Sequence, residues 1–330
     1  MVDSQPTDTV SVITVTFNSQ KTIGRLLSTL RRHIDARVAE VLVIDNRSTD
    51  RTAEVVRSIQ EEWPKLVLIQ KSENLGYRKA VNAAARLASH EFLLVINPDA
   101  WLEDNSLCHC IDQLGSDESI GCACPVIIEP SNWVKRSAGS KPVIPFVAWW
   151  PENIPQGQKA ARVSIGPGQA FIVRRSEFSA SGGYEEGPFM FNEEEELSLK
   201  LKSRGLKVVV HPVAMVYHEG GVSVRSWGHR WEFQFTHQVR NARFLYHRFV
   251  RESAFRRFLW YLFYILQSVE YSIAIRSCKP LRAALAPWAK SRDGLAGIES
   301  LQAEWNLMLW IAVKVREINA FQALVRSRNS

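Results

Sequence analysis

The chain has 330 residues, 46% apolar and 23% charged, enough for a large core with room for an appendage. Its net charge of +7 is uneven: from Val222 onward there are 17 Lys/Arg against 7 Asp/Glu, whereas the first 221 residues hold 24 against 27. No run of 18 uncharged apolar residues predicts a membrane-spanning helix, and the polar, acidic start (Asp3, Asp8) shows no secretory signal, so a cytoplasmic chain is expected.

Val10 to Thr16 is rich in β-branched residues and reads as a strand, broken by Asn18-Ser19. Ile23, Leu26, Leu27, Leu30 and Ile34 follow at helical spacing. Val38 to Ile44 is a second strand, stopping at Asp45-Asn46, and Ser48-Thr49-Asp50 is expected to cap a helix carrying Ala53, Val56 and Ile59. Leu66 to Ile69 is a third strand, Asn74-Leu-Gly76 a turn, Ala80 to Leu87 a helix and Phe92 to Ile96 a fourth strand. This alternation argues for an α/β fold with a parallel sheet covered on both faces. In such sheets ligands bind beyond the carboxyl ends of the strands. Those ends (Thr16-Phe17-Asn18, Asp45-Asn46 and Asn97-Pro98-Asp99) are polar and should meet in one crevice.

Ser131 to Gly168 has little periodicity and reads as an irregular loop over the site. Arg230 to Ile275 reads as helical and dense in Arg and aromatics, with Pro280 and Pro287 beyond it and a last helix over roughly 298–325. The five cysteines include the pairs Cys108/Cys110 and Cys122/Cys124, whose spacing suits buried free thiols better than a zinc site or a disulfide.

Six motifs stand in a telling order: the strand ends at Thr16 and Asp45, Asn74-Leu-Gly-Tyr77 with Asn82, Phe92 to Asp99, Gly166-Pro-Gly-Gln-Ala-Phe171, Phe189-Met-Phe-Asn-Glu-Glu-Glu-Glu-Leu197, and Val216-Tyr-His-Glu-Gly-Gly221. In order and spacing, from Val10 to Ser223, they resemble an inverting family 2 glycosyltransferase of the GT-A fold, in particular the bacterial rhamnosyltransferases. The resemblance covers about two-thirds of the chain. It implies a catalytic domain over 1–225 and a basic helical extension over 226–330.

The resemblance implies that Asp99 and His218 hold a divalent metal, Mn²⁺ or Mg²⁺, at the donor diphosphate. The family's usual Asp-x-Asp turn is here Asn-Pro-Asp, leaving Asn97 for a ribose hydroxyl or a metal-bound water. It implies a general base in the acidic run: Glu194 where the family has Asp, with Glu193 as runner-up, while Glu196 faces the helix N-terminal dipole or orients a neighbour. Adjacent carboxylates raise one another's pKa, which suits a base near neutral pH. The nucleotide is expected over the first two strand ends, with Phe17 stacking on the base, Asn46 or Asp45 reading its edge, and Thr16 and Asn18 lining the crevice. Gly76, allowing close backbone approach, and Asn82 are expected among the donor-binding residues; Arg78 or Lys79 is a candidate for a phosphate. Gly168 and Gln169 are expected near the donor sugar.

In the basic C-terminal third, Arg240, Arg243, Arg248, Arg251, Arg256 and Arg257 interleave with aromatics ahead of Leu259-Trp-Tyr-Leu-Phe-Tyr-Ile-Leu266. A basic helix with an aromatic face suits peripheral contact with an anionic membrane at its inner face. The expected partners are a dTDP- or UDP-sugar, with dTDP-L-rhamnose foremost, and a glycan or polyprenyl-diphosphate-linked acceptor in cell-envelope synthesis. Galactofuranose and N-acetylhexosamine remain alternative sugars. A non-catalytic nucleotide- or nucleic-acid-binding protein would account for the pI near 9.2 but not for the Asp99 and Glu194 segments, so no nucleic acid is expected. A dinucleotide-dependent oxidoreductase is disfavoured because Thr16 to Gly24 lacks Gly-x-Gly-x-x-Gly.

Overall fold

A computed structural model describes residues 8–129, 136–137, 140–144, 148–151, 156–187, 190–219, 230–249, 253–274 and 277–285. The chain forms two compact units: Met1–Gly139 with Glu152–Gly228, and Ser140–Pro151 with His229–Ser330.

The first unit is built on a ten-stranded sheet. In chain order it contains β1 (Val10–Thr16), α1 (Ile23–Ile34), β2 (Val38–Asp45), α2 (Thr52–Gln60), β3 (Leu66–Gln70), α3 (Tyr77–Leu87), β4 (Phe92–Ile96), β5 (Ala100–Trp101), α4 (Cys108–Ser116), β6 (Ile120–Ile128), β7 (Arg136–Ser137), β10 (Ala161–Arg162), β11 (Ala170–Arg174), α5 (Arg175–Ala180), α6 (Glu193–Ser203) and β12 (Lys207–His218). The main order is β10-β12-β6-β11-β4-β1-β2-β3, with β5 on β12 and β7 on β6. The pairs β3–β2, β2–β1, β1–β4 and β12–β6 are parallel. The strand β11 runs antiparallel between β4 and β6, which makes the sheet mixed but mostly parallel.

Alternation along the strands sorts the core onto two faces. Val10, Val12, Val41, Val43, Phe92 and Leu94 pack with Leu26, Leu27 and Leu30 of α1 and Ile111 of α4. Ile13, Val15, Leu42, Ile44, Leu93 and Val95 pack with Ala80, Val81 and Ala84 of α3 and Leu197 and Leu201 of α6. Residues i and i+2 share a face of a strand, so strands this apolar require helices on both sides.

Two local expectations change, and the last strand is irregular. The helix expected to be capped by Ser48-Thr49-Asp50 begins at Thr52, and Asp50 Oδ1 accepts the Thr52 N–H at 3.0 Å from two residues before it. The helix α3 starts three residues before Ala80, straight after Gly76 at φ 78°. The strand at Lys207 continues through Pro212 to His218, and its pairing with β6 slips between His211 and Met215. Proline offers no N–H to the ladder, so the strand can pass it only with such an irregularity.

The stretch read as an irregular loop carries β7 and β10 in the first unit and a hairpin in the second, β8 (Ser140–Ile144) with β9 (Ala148–Pro151). The second unit also holds α7 (Arg230–Phe249), α8 (Ala254–Ala274) and α9 (Lys279–Leu285). Tyr246 of α7 stacks on Trp260 of α8 at 3.8 Å, Trp260 on Tyr264 at 4.7 Å, and the Tyr264 hydroxyl donates to the Val239 carbonyl at 3.0 Å. The helix expected over 298–325 lies outside the described residues. All five cysteines are free thiols, as the spacing suggested; Cys122 and Cys124 Sγ are 3.6 Å apart. Among the described residues no helix is long and apolar enough to cross a membrane.

Candidate active site

The ends of β1 and β2 are laced together by their own side chains. Thr16 Oγ1 donates to Asp45 Oδ1 at 3.0 Å, and Ser48 donates to the same carboxylate from its hydroxyl at 2.5 Å and its amide at 3.3 Å. The Asn46 N–H donates to the Thr16 carbonyl at 2.8 Å. Asn18, in the left-handed region at φ 53°, accepts the Thr49 N–H on its Oδ1 at 2.8 Å. Asparagine tolerates that backbone better than branched residues do. Thr16, Asp45 and Asn46 are buried, and Phe17 and Asn18 are half-buried at the lip. Asn46 Nδ2 donates to the Gly76 carbonyl at 3.2 Å, while its Oδ1 is buried without a partner. A buried acceptor left unmet is costly unless a ligand completes it.

The start of α3 anchors a different loop. Asn82 Nδ2 donates to the Tyr184 carbonyl and its Oδ1 accepts the Tyr184 N–H, both at 2.8 Å. Its amide therefore clamps the Gly182-Gly183-Tyr184 loop. Arg78 is not placed for a phosphate. It is wholly buried, with Nη1 on the Glu196 carboxylate and Nη2 donating to the Phe191 carbonyl at 2.9 Å. Lys79 is exposed.

The turn after β4 meets the end of β12. The short strand β5 pairs Ala100 with His218 and Trp101 with Tyr217, and the Glu219 N–H donates to the Asp99 carbonyl at 3.0 Å. Asp99 Oδ1 then lies 3.1 Å from His218 Nε2, with Asn97 Nδ2 3.3 Å from the same nitrogen. His218 Nδ1 faces Glu129 Oε1 at 2.9 Å. Burial lowers the imidazole pKa, but hydrogen bonds and charge from Asp99 and Glu129 outweigh it and raise the pKa to about 9.

Two observations suit this pair to a divalent cation. The donor atoms Asp99 Oδ1 and His218 Nε2 converge at a separation that two neighbouring ligands about 2.1 Å from one ion would have. The far ring nitrogen is held by a carboxylate, the arrangement that fixes the tautomer of a metal-binding histidine. Among the described residues no third His, Cys, Asp or Glu joins them in a metal-holding group.

The acidic run opens α6. Phe191 and Asn192, at φ 78° and 63°, turn the chain sharply into the helix. Such residues store strain that surrounding contacts must hold, and the Arg78 bond to the Phe191 carbonyl is one of them. Glu196 is fully buried and accepts Arg78, Lys200 Nζ at 2.8 Å and the Glu185 N–H at 2.7 Å. It orients its neighbours from inside the protein. Glu194 is half-buried and lies against Gly168, where an added β-carbon would stand 3.0 Å from Oε2. The next residue, Gln169, accepts the Asn97 N–H on its carbonyl at 2.9 Å. Gly168-Gln169 thus has Glu194 on one side and the Asn97–Asp99 turn on the other.

Burial raises the Glu194 pKa against the opposing pull of its own backbone N–H and of Arg78. Burial takes Glu193 to about 7 despite Arg78, whose Nε is 3.6 Å away. Glu195 is pushed well up by burial and by Glu194. Carboxylates that resist ionisation are better proton acceptors near neutral pH.

Residues 11–180 match the model described as Glycosyl transferase family 2. The chain belongs to that family and is a glycosyltransferase of the GT-A fold. It is 29% identical over 241 residues to the N-acetylglucosaminyl-diphospho-decaprenol L-rhamnosyltransferase of Mycobacterium tuberculosis, covering 64% of this chain and 76% of that one. Among solved structures, GalNAc-T7 with UDP, GalNAc and Mn²⁺ superposes with a TM-score of 0.63 at 16% identity, over 86% of this chain but 52% of its own. This chain therefore spans about half the length of that structure. A mannosyltransferase from Pyrobaculum calidifontis with GDP-Man and Mn²⁺ gives 0.55 at 20% identity, covering 95% and 84%. At these identities the structural likenesses concern the fold alone.

Proposed function

We propose that this glycosyltransferase inverts the anomeric centre as it moves a sugar, foremost L-rhamnose from dTDP-L-rhamnose, to a lipid-linked or polysaccharide acceptor of the cell envelope. The observation that carries the reading is the placement of Glu194 across Gly168-Gln169 from the Asn97–Asp99–His218 cluster. The rhamnosyltransferase activity of the mycobacterial relative supports the choice of sugar and of acceptor class.

Glu194 takes the proton from the acceptor hydroxyl. The freed oxygen attacks the anomeric carbon from the face opposite the diphosphate. The bond to the diphosphate oxygen breaks, leaving the glycoside inverted and a nucleoside diphosphate. Asp99 and His218 would hold a divalent metal, Mn²⁺ or Mg²⁺, which when bound neutralises charge on the departing diphosphate. Glu129 holds the imidazole for that duty, and the proton on Nε2 must leave first. Of the two edge-reading candidates, Asp45 is committed to Thr16 and Ser48, whereas the Asn46 Oδ1 is open to the base of the nucleotide. Phe17 and Asn18 line the lip, and Gly76 lets the backbone approach.

Catalysis is assigned to residues 1–225. The basic extension brings the enzyme to the inner face of the cell membrane, where a polyprenyl-diphosphate acceptor would be found. The test is nucleoside-diphosphate release from dTDP-rhamnose, UDP-galactose in both ring forms, UDP-N-acetylglucosamine and GDP-mannose. Each runs with Mn²⁺, Mg²⁺ or EDTA, with and without membrane lipid extract. Metal-dependent release from dTDP-rhamnose that rises with extract is the expected result; release from another donor alone would replace the sugar.

A further inference from the structure

The helix α8 has two unlike faces. Trp260, Tyr264, Gln267 and Ser268 are buried, and Trp260 and Tyr264 meet Tyr246 and Val239 of α7. On the other side Phe255, Phe258, Leu262, Leu266 and Ile273 are 69, 65, 46, 48 and 73% exposed. Their spacings of three, four, four and seven residues align them in one stripe. At about 1.5 Å per residue the stripe is roughly 27 Å long. Its part from Phe255 to Leu266, roughly 17 Å long and apolar throughout, is more than the scattered exposed leucines of an ordinary surface, while Glu270 falls between Leu266 and Ile273.

The charge around the stripe selects its partner. Arg256 and Arg257 are exposed beside Phe255 and Phe258, and no charged residue occurs from Phe258 to Val269. Cations at one end and no anion from Phe255 to Val269 suit a negatively charged, apolar-cored surface. A second copy would bring a region of the same strong positive charge against this one. A spanning role does not suit α8, which at 21 residues is long enough but not apolar enough to cross a membrane.

We infer that α8 lies in the plane of an anionic lipid bilayer, with Phe255, Phe258, Leu262 and Leu266 in the acyl boundary and Arg256 and Arg257 on phosphate headgroups. This names the surface behind the membrane contact in the reading above. It rests on that contact alone, because vesicle binding requires no sugar donor and no turnover.

The test is co-sedimentation of the full chain with vesicles of phosphatidylcholine alone or mixed with phosphatidylglycerol, at low and high salt. The wild type should bind the mixed vesicles, and high salt should weaken that binding. A Phe255→Ser/Phe258→Ser/Leu262→Ser variant should bind at least about tenfold less, with an unchanged circular dichroism spectrum because all three side chains are already exposed. Phe255→Leu/Phe258→Leu should keep binding, which separates lost apolar area from a damaged fold. Arg256→Gln/Arg257→Gln should bind mixed vesicles no better than neutral ones. The inference fails if the wild type ignores both vesicles or the serine variant binds as well as the wild type. It fails equally if light scattering shows a dimer that the serine variant dissolves, which would make a second copy the occupant.

Discussion

Gly168 is a glycine because Glu194 lies against it: a β-carbon there would stand 3.0 Å from Oε2, 3.1 Å from Cδ and 3.3 Å from the Glu194 β-carbon. Neither the carboxylate nor its stem could stay in place. Gly168→Ala should therefore displace the carboxylate and lower kcat by about 10- to 100-fold, since sub-ångström misplacement of a reacting group is costly. Donor affinity, read by calorimetry, should change little. A normal kcat would mean that Glu194 is not used where it stands.

Removing the base itself is the sharper test. Glu194→Gln preserves the shape of the side chain and should cut turnover by about 10²- to 10⁴-fold, with nucleotide-sugar binding nearly intact. Near-normal turnover would move the role to Glu193.

The metal reading predicts a graded response. Asp99→Ala removes one of the two proposed ligands and should abolish the Mn²⁺-dependent part of donor binding. Glu129→Gln touches no ligand atom, yet it loosens the imidazole and should weaken metal affinity by about 10- to 100-fold. Titration of Mn²⁺ in the presence of nucleoside diphosphate reads both. Equal affinity in Glu129→Gln and wild type would show that the His218–Glu129 contact has no such role.

Glu193 gives a stability signature with a definite sign. Its pKa is near 7 in the folded chain against an ordinary 4.5. Between those values the folded state holds a proton that the unfolded state has released. Stability from this group is therefore lost as pH rises through the window. Glu193→Gln, fixed in the neutral form, should raise Tm relative to wild type at pH 8 and gain little at pH 4. The same gain at both values would mean that Glu193 ionises as freely in the fold as in the open chain.

The buried ion network predicts a penalty of another kind. Arg78→Met leaves Glu196 with Lys200 and the Glu185 N–H but without its guanidinium and should cost about 3–5 kcal/mol, as a broken buried pair does. Denaturant unfolding measures it, and a loss under about 1 kcal/mol would show that Glu196 finds other compensation.

The first four strands were legible because parallel strands buried on both faces are near-continuous apolar runs ending in polar turns, as Val10–Thr16 and Phe92–Ile96 do. Arg78 was misjudged because its partners, Phe191 and Glu196, come more than a hundred residues later, and nothing local marks a cation destined for burial. Glu129 escaped notice for the same reason: it belongs to no motif and reaches His218 only through the pairing of β6 with β12. Asn82 was recognised as part of a motif, but its engagement with the Tyr184 backbone is a tertiary fact. The hairpin of β8 and β9 lay in a stretch without periodicity, where the turn chemistry gave no register.

The joining of Asn97 and Asp99 to His218 bears on when the enzyme becomes competent. The sequence separation from Asn97 to His218 is 121 residues, and β12, which delivers the imidazole, is the last strand of the sheet. The ends of β1 and β2, where the nucleotide is proposed to lie, come long before that in the chain. A chain emerging from the ribosome therefore has its donor-reading end early but lacks both Glu194 and His218 until synthesis is well past the middle. Under the proposed roles, competence for transfer waits on the insertion of one late strand between β6 and β10.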